Sequence, residues 1–459
     1  MDSKVVRVVF TALLLDILAF TVILPLLPRL LQFYRLQEAG DESTILGRLL
    51  AVVNQYKHLI SSTRATNDVL TDKWDLVLLG GFVGSLFSFL QFLVSPYIGK
   101  ISDSIGRRKT LLLTMIGNLI STVLWVFASS FDAFLWARIV GGLSEGNVQL
   151  SIAIISDVTD DQNRSKGLAL VGIAFAIAFT IGPALGAYFA SYDLTRISPA
   201  LVEYGVYPFS SPALVALVLL SVEVLYIMAY LPETFNSRQK KETTDEKKVQ
   251  QEAETPGQIS KRLANLRILN AIHAFHLFIF SGMEFTLVFL TFDIFDYTNM
   301  QQGRLLGFIG IMSSLIQGGY VRRKAHAVGE KNIILQGVVA CTLGLLMFTI
   351  LALSRDSMAL LYAGAFFFAV TSGTVVSCLT SLASMQCIDS DPRLAKGQAL
   401  GVFRSRGQLG RAFGPLVACG VYWAYGPVVC YGLGSICMLI VTATVVAFIP
   451  QPQKVKKQD

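Results

Sequence analysis

Long apolar runs alternate with short polar stretches along almost the whole chain. Runs of at least roughly 18 apolar residues are long enough to cross a bilayer as helix. They predict helix 1 over 5–31, helix 2 over 76–98, helix 3 over 110–128, helix 4 over 131–156, helix 5 over 166–191 and helix 6 over 212–231. A second set follows: helix 7 over 267–295, helix 8 over 303–321, helix 9 over 332–353, helix 10 over 358–385, helix 11 over 397–425 and helix 12 over 427–449. Between helices 1 and 2, Ile45, Leu46, Leu49, Leu50, Val53, Tyr56 and Ile60 recur at helical spacing, which predicts an amphipathic helix lying on the membrane or over an entrance. Between helices 6 and 7 the pattern turns polar and mixed-charge, as in SRQKKETTDEKKVQQEAE, and reads as a linker. The short alternating segments of a membrane β-barrel do not occur. The expectation is an all-α membrane protein of twelve transmembrane helices in two six-helix lobes, 1–231 and 267–459, joined by a cytoplasmic linker, 232–266.

Composition sharpens this picture. The chain is 53% hydrophobic and only 15% charged, too apolar for a soluble protein of 459 residues. The net charge of +7 would suggest nucleic acid in a soluble protein, but most Lys and Arg fall in loops of one parity. That bias places those loops and both termini in the cytoplasm and removes nucleic acid as a partner. The six cysteines all lie in the second half, at or within apolar runs, as small buried residues rather than a disulfide framework or metal site. The N-terminal run is too long for a secretory signal, carries Asp16 centrally and lacks a small-residue cleavage site. No zinc-ligand spacing, phosphate loop or hydrolase elbow is present, so neither an enzyme nor a cofactor is expected.

Chemistry concentrates in a few places. The turn GKISDSIGRRK combines Gly99, Asp103, Gly106, Arg107 and Arg108 between helices 2 and 3. Gly99 allows close helix approach, Gly106 a tight turn, and Asp103 is expected to accept bonds from amides at the start of helix 3. The corresponding stretch after helix 8, GGYVRRKAHAVGEK, keeps the glycines and bases but lacks the Asp. Asp157 closes helix 4 and is expected to pair with Asp103 and Arg107 in a latch across the ends of helices 2, 3 and 4.

Charges at bilayer depth are costly and normally face a partner or a wet cavity. Arg138 and Glu145 are seven apart on helix 4, and Asp16 and Glu284 sit near mid-span in helices 1 and 7. Arg404, Gln408 and Arg411 line one face of helix 11, with Arg406 off that face. Glu223, on a peripheral helix, reads as structural, and His273 and His276 receive no role beyond a weak candidacy as a proton relay. Helix 5 carries Gly172, Gly182, Pro183 and Gly186, small residues and a bend suited to close packing.

These motifs together resemble the major facilitator superfamily. GKISDSIGRRK is similar to its signature loop, with Ile101 in place of Leu and Ser104 in place of the first Arg. RIVGGLSEGN resembles the Arg-x-x-x-Gly element of proton-coupled members, and the helix 5 glycines resemble the antiporter motif ending Gly-Pro-x-x-Gly. Over essentially the whole chain the likeness is to the drug/proton-antiporter branch, which includes bacterial tetracycline exporters and animal tetracycline-transporter-like proteins. The resemblance implies a monomeric secondary transporter that exports organic anions by alternating access, with the latch formed when it faces outward. Arg411, Arg404, Gln408 and Arg138 are the expected substrate ligands. Glu284, Asp16 and Glu145 are the expected proton carriers, Glu284 first because no cation lies within a turn of it. An uncoupled facilitator and a non-transporting sensor or scaffold are the alternatives, and the plasma membrane is the expected location, with internal membranes left open.

Overall fold

A computed structural model of the chain describes residues 3–23, 26–38, 43–60, 68–159, 161–235, 256–297, 299–388 and 391–449. Most of the expected linker and the C-terminal KVKKQD lie outside the described residues. Among those described, nine helices are long and apolar enough to cross a membrane. Helices 1, 8 and 11 also form but do not meet that measure of length and composition. Helix 1 (Ser3–Thr21) carries Lys4, Arg7 and Asp16, helix 8 is interrupted, and helix 11 (Lys396–Tyr425) carries three arginines.

Side chains pack into separate cores. Two buried apolar clusters draw on the first half of the chain, one around Leu13, Met115 and Ile154 and one around Tyr34, Phe131 and Phe134. A third, around Leu290, Phe348 and Leu379, is built from the second half apart from Ala153. The residues that face lipid are large and apolar, as bilayer burial requires: Leu225, Met228, Ile436 and Leu439 are exposed on helices 6 and 12.

Several helices differ from the sequence expectation. Helix 1 stops at Thr21 and the chain resumes as a separate helix, Leu27–Gln37, with Pro28 in its first turn, where a missing N–H costs nothing. Helix 2 (Asp68–Ile105) begins earlier than expected and runs for 38 residues. Helix 4 is two pieces, Phe131–Ser144 and Asn147–Val158, because Glu145 is extended (φ −73°, ψ 95°). A Cβ on Gly146 would come 2.9 Å from methyl groups of Ile98 and Thr114, so only glycine fits this junction. Helix 7 (Pro256–Phe295) takes in 256–266, which the sequence had placed in the linker. Helix 8 (Asn299–Leu315) continues through a wide turn, Ile316–Val321, into Arg322–Val328, so the basic cluster after it is helical rather than a loop. The amphipathic segment is a helix, Ile45–Ile60, but it does not lie free. Leu46 is buried and Leu49 and Leu50 pack onto the Tyr34 cluster, seating it over the end of the first lobe.

Candidate functional site

Two sets of polar side chains are buried between the helices. The first lies where the chain passes from helix 6 toward the linker, here called the linker face. Helix 2 ends at Ile105 and helix 3 (Arg107–Val126) begins after Gly106, whose φ of 104° is open to glycine and strained for other residues. Asp103 does not cap helix 3, contrary to expectation. That part falls to Glu233, whose carboxylate accepts from the Arg107 and Arg108 amides at 2.8 and 3.2 Å. Asp103 instead reaches the other lobe, accepting from the Gly397 and Gln398 amides at 2.9 and 2.7 Å. Those amides open helix 11, where the unpaired N–H groups and helix dipole favour an anion.

Arg107 ties this contact to helix 4. Its guanidinium donates to Asp103 at 2.7 Å, to Ser102 at 2.6 Å and to Asp157 at 3.0 Å, and it is 1% exposed. The second Asp157 oxygen accepts from Lys396, at the start of helix 11, at 2.8 Å. Two anions of one lobe thus hold a cation and a helix terminus of the other. Arg108 donates instead to the Met228 carbonyl on helix 6 at 2.6 Å.

Close packing seals the same seam. A Cβ on Gly99 would overlap the Gly397 carbonyl, and one on Gly401 would lie 2.6 Å from the Ser95 carbonyl. Further in, Ser405 donates to the Phe92 carbonyl at 2.7 Å, and Ser384 on helix 10 (Met358–Met385) donates to Ser156 on helix 4 at 2.9 Å. Gly172 on helix 5 (Asp161–Phe189) receives the Gln317 amide of helix 8, itself bonded to Ser377. Gly182 and Gly186 meet Thr21 and the Val22 carbonyl, and Thr21 donates to the Ala178 carbonyl at 3.1 Å.

The second set lies deeper. A cavity of about 60 Å³ inside the first lobe is lined by Asp16, Asn118, Arg138, Glu145, Phe87 and Leu220 among others. Asp16 accepts from Asn147 at 2.7 Å, and Asn147 in turn accepts from Thr114 at 3.1 Å. Asn118 donates to Glu145 at 3.4 Å. The break in helix 4 sets Glu145 between two helix ends, where backbone groups lack partners in the helix. Arg138 lies over the Phe87 ring, 4.4 Å from its centroid. Arg404, from helix 11 of the other lobe, is in electrostatic range of Glu145 and Asp16. Neither guanidinium makes an ion pair with a described residue, and the Nε atoms of both are buried without a hydrogen-bond partner. Both residues retain partial exposure, and Arg138 faces the cavity.

This architecture and its comparisons agree. A family model described as the Major Facilitator Superfamily matches residues 9–415. The chain belongs to the major facilitator superfamily. It is 33% identical over 456 residues to the mouse (Mus musculus) major facilitator superfamily domain-containing protein 10, covering 96% of this chain and 91% of that protein. The class B tetracycline resistance protein of Escherichia coli is 24% identical over 389 residues, covering 82% and 88%. The crystal structure of human MFSD10 (TETRAN), described as an organic anion transporter, superposes with a TM-score of 0.79 at 34% identity, covering 96% of this chain and 99% of that one. The proton:xylose symporter XylE shares the fold, with a TM-score of 0.67 at 14% identity, covering 98% and 97%. The chain is therefore a membrane transporter of this superfamily and not an enzyme.

Within this superfamily member the expected residues fall into three groups. Gly99, Asp103, Gly106, Arg107 and Asp157 meet at the linker face, with the Arg108 side chain turned instead to helix 6. Asp16, Arg138, Glu145 and Arg404 converge across the two lobes. Gln408 is buried further along helix 11, while Arg411 is in electrostatic range of His273 and His276 on helix 7 rather than of the acids. Glu284 stands apart, half-buried beside Phe285, whose ring packs over Gly81, and makes no hydrogen bond or ion pair with a described residue. Sequence reasoning missed three participants: Glu233, Lys396 and Asn147. It also set Glu223 aside as structural, yet Glu223 is 1% exposed and in electrostatic range of Asp16 and Glu145. Its position seven residues beyond Ala216, which lines the cavity, is the signal that could have found it.

Proposed function

We propose that this transporter exports organic anions by alternating access and that the transport is coupled to protons. The observation carrying this reading is the pair of guanidinium groups contributed by opposite lobes, Arg138 lining the cavity and Arg404 in electrostatic range of the acids that line it, each with a buried Nε that has no hydrogen-bond partner. Guanidinium groups bind carboxylates through paired hydrogen bonds roughly twice as strong as neutral ones. Arg411 and Gln408 extend the polar face of helix 11 and complete the anion site. The description of the human relative as an organic anion transporter supports the same substrate class.

Asp16, Glu145 and Glu284 carry the coupling proton in this reading. Asp16 and Glu145 share Arg404 across the lobe boundary, so separating the lobes changes the charge each of them faces. The linker face is cytoplasmic by the distribution of basic residues, the protein resides in the plasma membrane, and it works as a monomer. The contacts at Asp103 and Asp157 hold that face closed while the other side exchanges substrate.

Counterflow of a labelled aryl carboxylate in proteoliposomes, with and without a pH gradient, tests the reading. Wild type should exchange the anion and accumulate it against its gradient only when the pH gradient is imposed. Arg411→Lys keeps the charge but loses two-point geometry, and should weaken carboxylates far more than uncharged analogues. Equal losses would remove Arg411 from the site. Glu284→Gln should spare exchange and abolish pH-driven accumulation, and retained accumulation would remove Glu284 from the coupling residues.

A further inference from the structure

We propose that Glu223 on helix 6 (Ser210–Tyr230) is a further proton-binding carboxyl group, and that the acids around it take up another proton when Arg404 is withdrawn from them or occupied by an anion. This rests on the transport reading above. Three carboxyl groups, Asp16, Glu145 and Glu223, share the interior of the first lobe with two guanidinium groups, Arg138 and Arg404. With every group ionised, one negative charge is left over. The groups are not equal places to neutralise it. Asp16 has the Asn147 amide, Glu145 has the Asn118 amide, and both have Arg404 as an electrostatic partner. Glu223 has neither kind of support: its Oε2 is buried with no hydrogen-bond partner, and the charges it faces are Asp16 and Glu145, both of its own sign.

Among the described residues, the helices packed on helix 6 place no cation at the level of Glu223: Lys4 and Arg7 of helix 1 lie twelve and nine residues before Asp16. Helix 6 contacts helices 1, 3 and 5. Helix 1 presents Asp16. Helix 3 has no ionisable side chain after Lys109, and helix 5 has none between Lys166 and Tyr188. Behind Asp16 stand Arg138 and Glu145 on helix 4 and Arg404 on helix 11. An ionised carboxylate buried without a partner is so costly that such a group is held neutral, with its proton.

Arg404 makes this proton count depend on the transport cycle. It belongs to the second lobe, so moving helix 11 away from helix 2 removes one positive charge from the acids, and a substrate carboxylate seated on Arg404 has the same effect. In either case the acids regain balance by binding a proton, and anion and proton occupancy rise together.

Infrared spectroscopy of the full-length protein in lipid reads this without a substrate. Near neutral pH, wild type should show the carbonyl absorption of a protonated carboxyl group that disappears in Glu223→Gln, and Arg404→Gln should show one more such group than wild type. An absorption that survives in Glu223→Gln, or no gain in Arg404→Gln, overturns the proposal. Should Glu223→Gln not fold, Glu223→Asp must move the absorption, and an unmoved absorption overturns the proposal equally. In proteoliposomes Glu223→Gln should retain both counterflow and pH-driven accumulation, because glutamine reproduces the neutral side chain and the cycling proton rests on Asp16 and Glu145, and a loss of accumulation counts against the proposal. A wild type that shows the expected absorptions but no anion counterflow overturns the transport reading and leaves the protonation of Glu223 standing.

Discussion

Asp103→Asn isolates the contact that joins the lobes at the linker face. The substitution preserves shape and removes charge. Arg107 stays neutralised, since Asp157 still accepts at 3.0 Å and Ser102 at 2.6 Å, so no buried cation is orphaned. The loss falls on the bonds to the Gly397 and Gln398 amides and on the Arg107 bond at 2.7 Å. Hydrogen bonds to a charged group are worth about 1.5–3 kcal/mol each, and the asparagine oxygen can keep one neutral bond of about 1 kcal/mol. The Arg107 bond lies within the first lobe and is lost whether the face is open or closed, so the two bonds to helix 11, about 3–6 kcal/mol together, less the bond retained, give a net loss of about 2–5 kcal/mol. That should multiply the population of the opened face by roughly 30–5,000-fold. Hydrogen exchange read by mass spectrometry measures it directly: amides at 397–405 should exchange faster by that order, while amides of helix 12 (Pro427–Phe448) stay unchanged. An Asp103→Asn protein whose 397–405 amides exchange at the wild-type rate would refute the reasoning, as would a uniform rise that includes helix 12.

Other substitutions probe neighbouring contacts. Lys396→Met should weaken the seam by only about 1–2 kcal/mol because Asp157 keeps Arg107, whereas Asp157→Ala leaves the buried Lys396 ammonium without its carboxylate and should cost about 3–5 kcal/mol, read as a fall in thermal midpoint. Gly99→Ala should lower stability by about 1–3 kcal/mol because its Cβ overlaps the Gly397 carbonyl, while Gly84→Ala, with no atom within 4 Å, should be neutral or stabilising. Tyr34→Phe removes the bond to the Ala128 carbonyl at 2.6 Å and should cost about 1–2 kcal/mol in thermal unfolding without altering counterflow.

Much of this was legible in the sequence because hydrophobic length and charge placement are local signals. The spans, the turn at Gly106, the amphipathic segment at 45–60 and the candidates Asp16, Arg138, Glu145 and Arg404 all announce themselves through a residue type that is out of place or a repeat that is regular. What stayed hidden is of another kind. The partners of Asp103 are backbone amides 294 and 295 positions away, and an amide has no letter of its own. The break at Glu145 leaves hydropathy undisturbed, since it depends on Ile98 and Thr114 crowding Gly146 from other helices. Glu223 looked peripheral because helix 6 is apolar on its other faces, and only packing shows that its buried face meets helix 1.

The division of the buried apolar side chains into clusters from one half of the chain or the other bears on how the protein is made. A chain released helix by helix into the membrane can complete the packing around Tyr34, Met115 and Ile154 before residues beyond 256 exist, and the ribosome need not hold the first half in waiting for the second. The bonds that do await the later half, such as those from Lys396, Gly397, Gln398, Ser384 and Ser405, are polar and lie at a seam rather than within a core. Two polypeptides, one ending and the other beginning between 236 and 255, should therefore find each other in the same membrane and assemble, with synthesis order imposing no penalty.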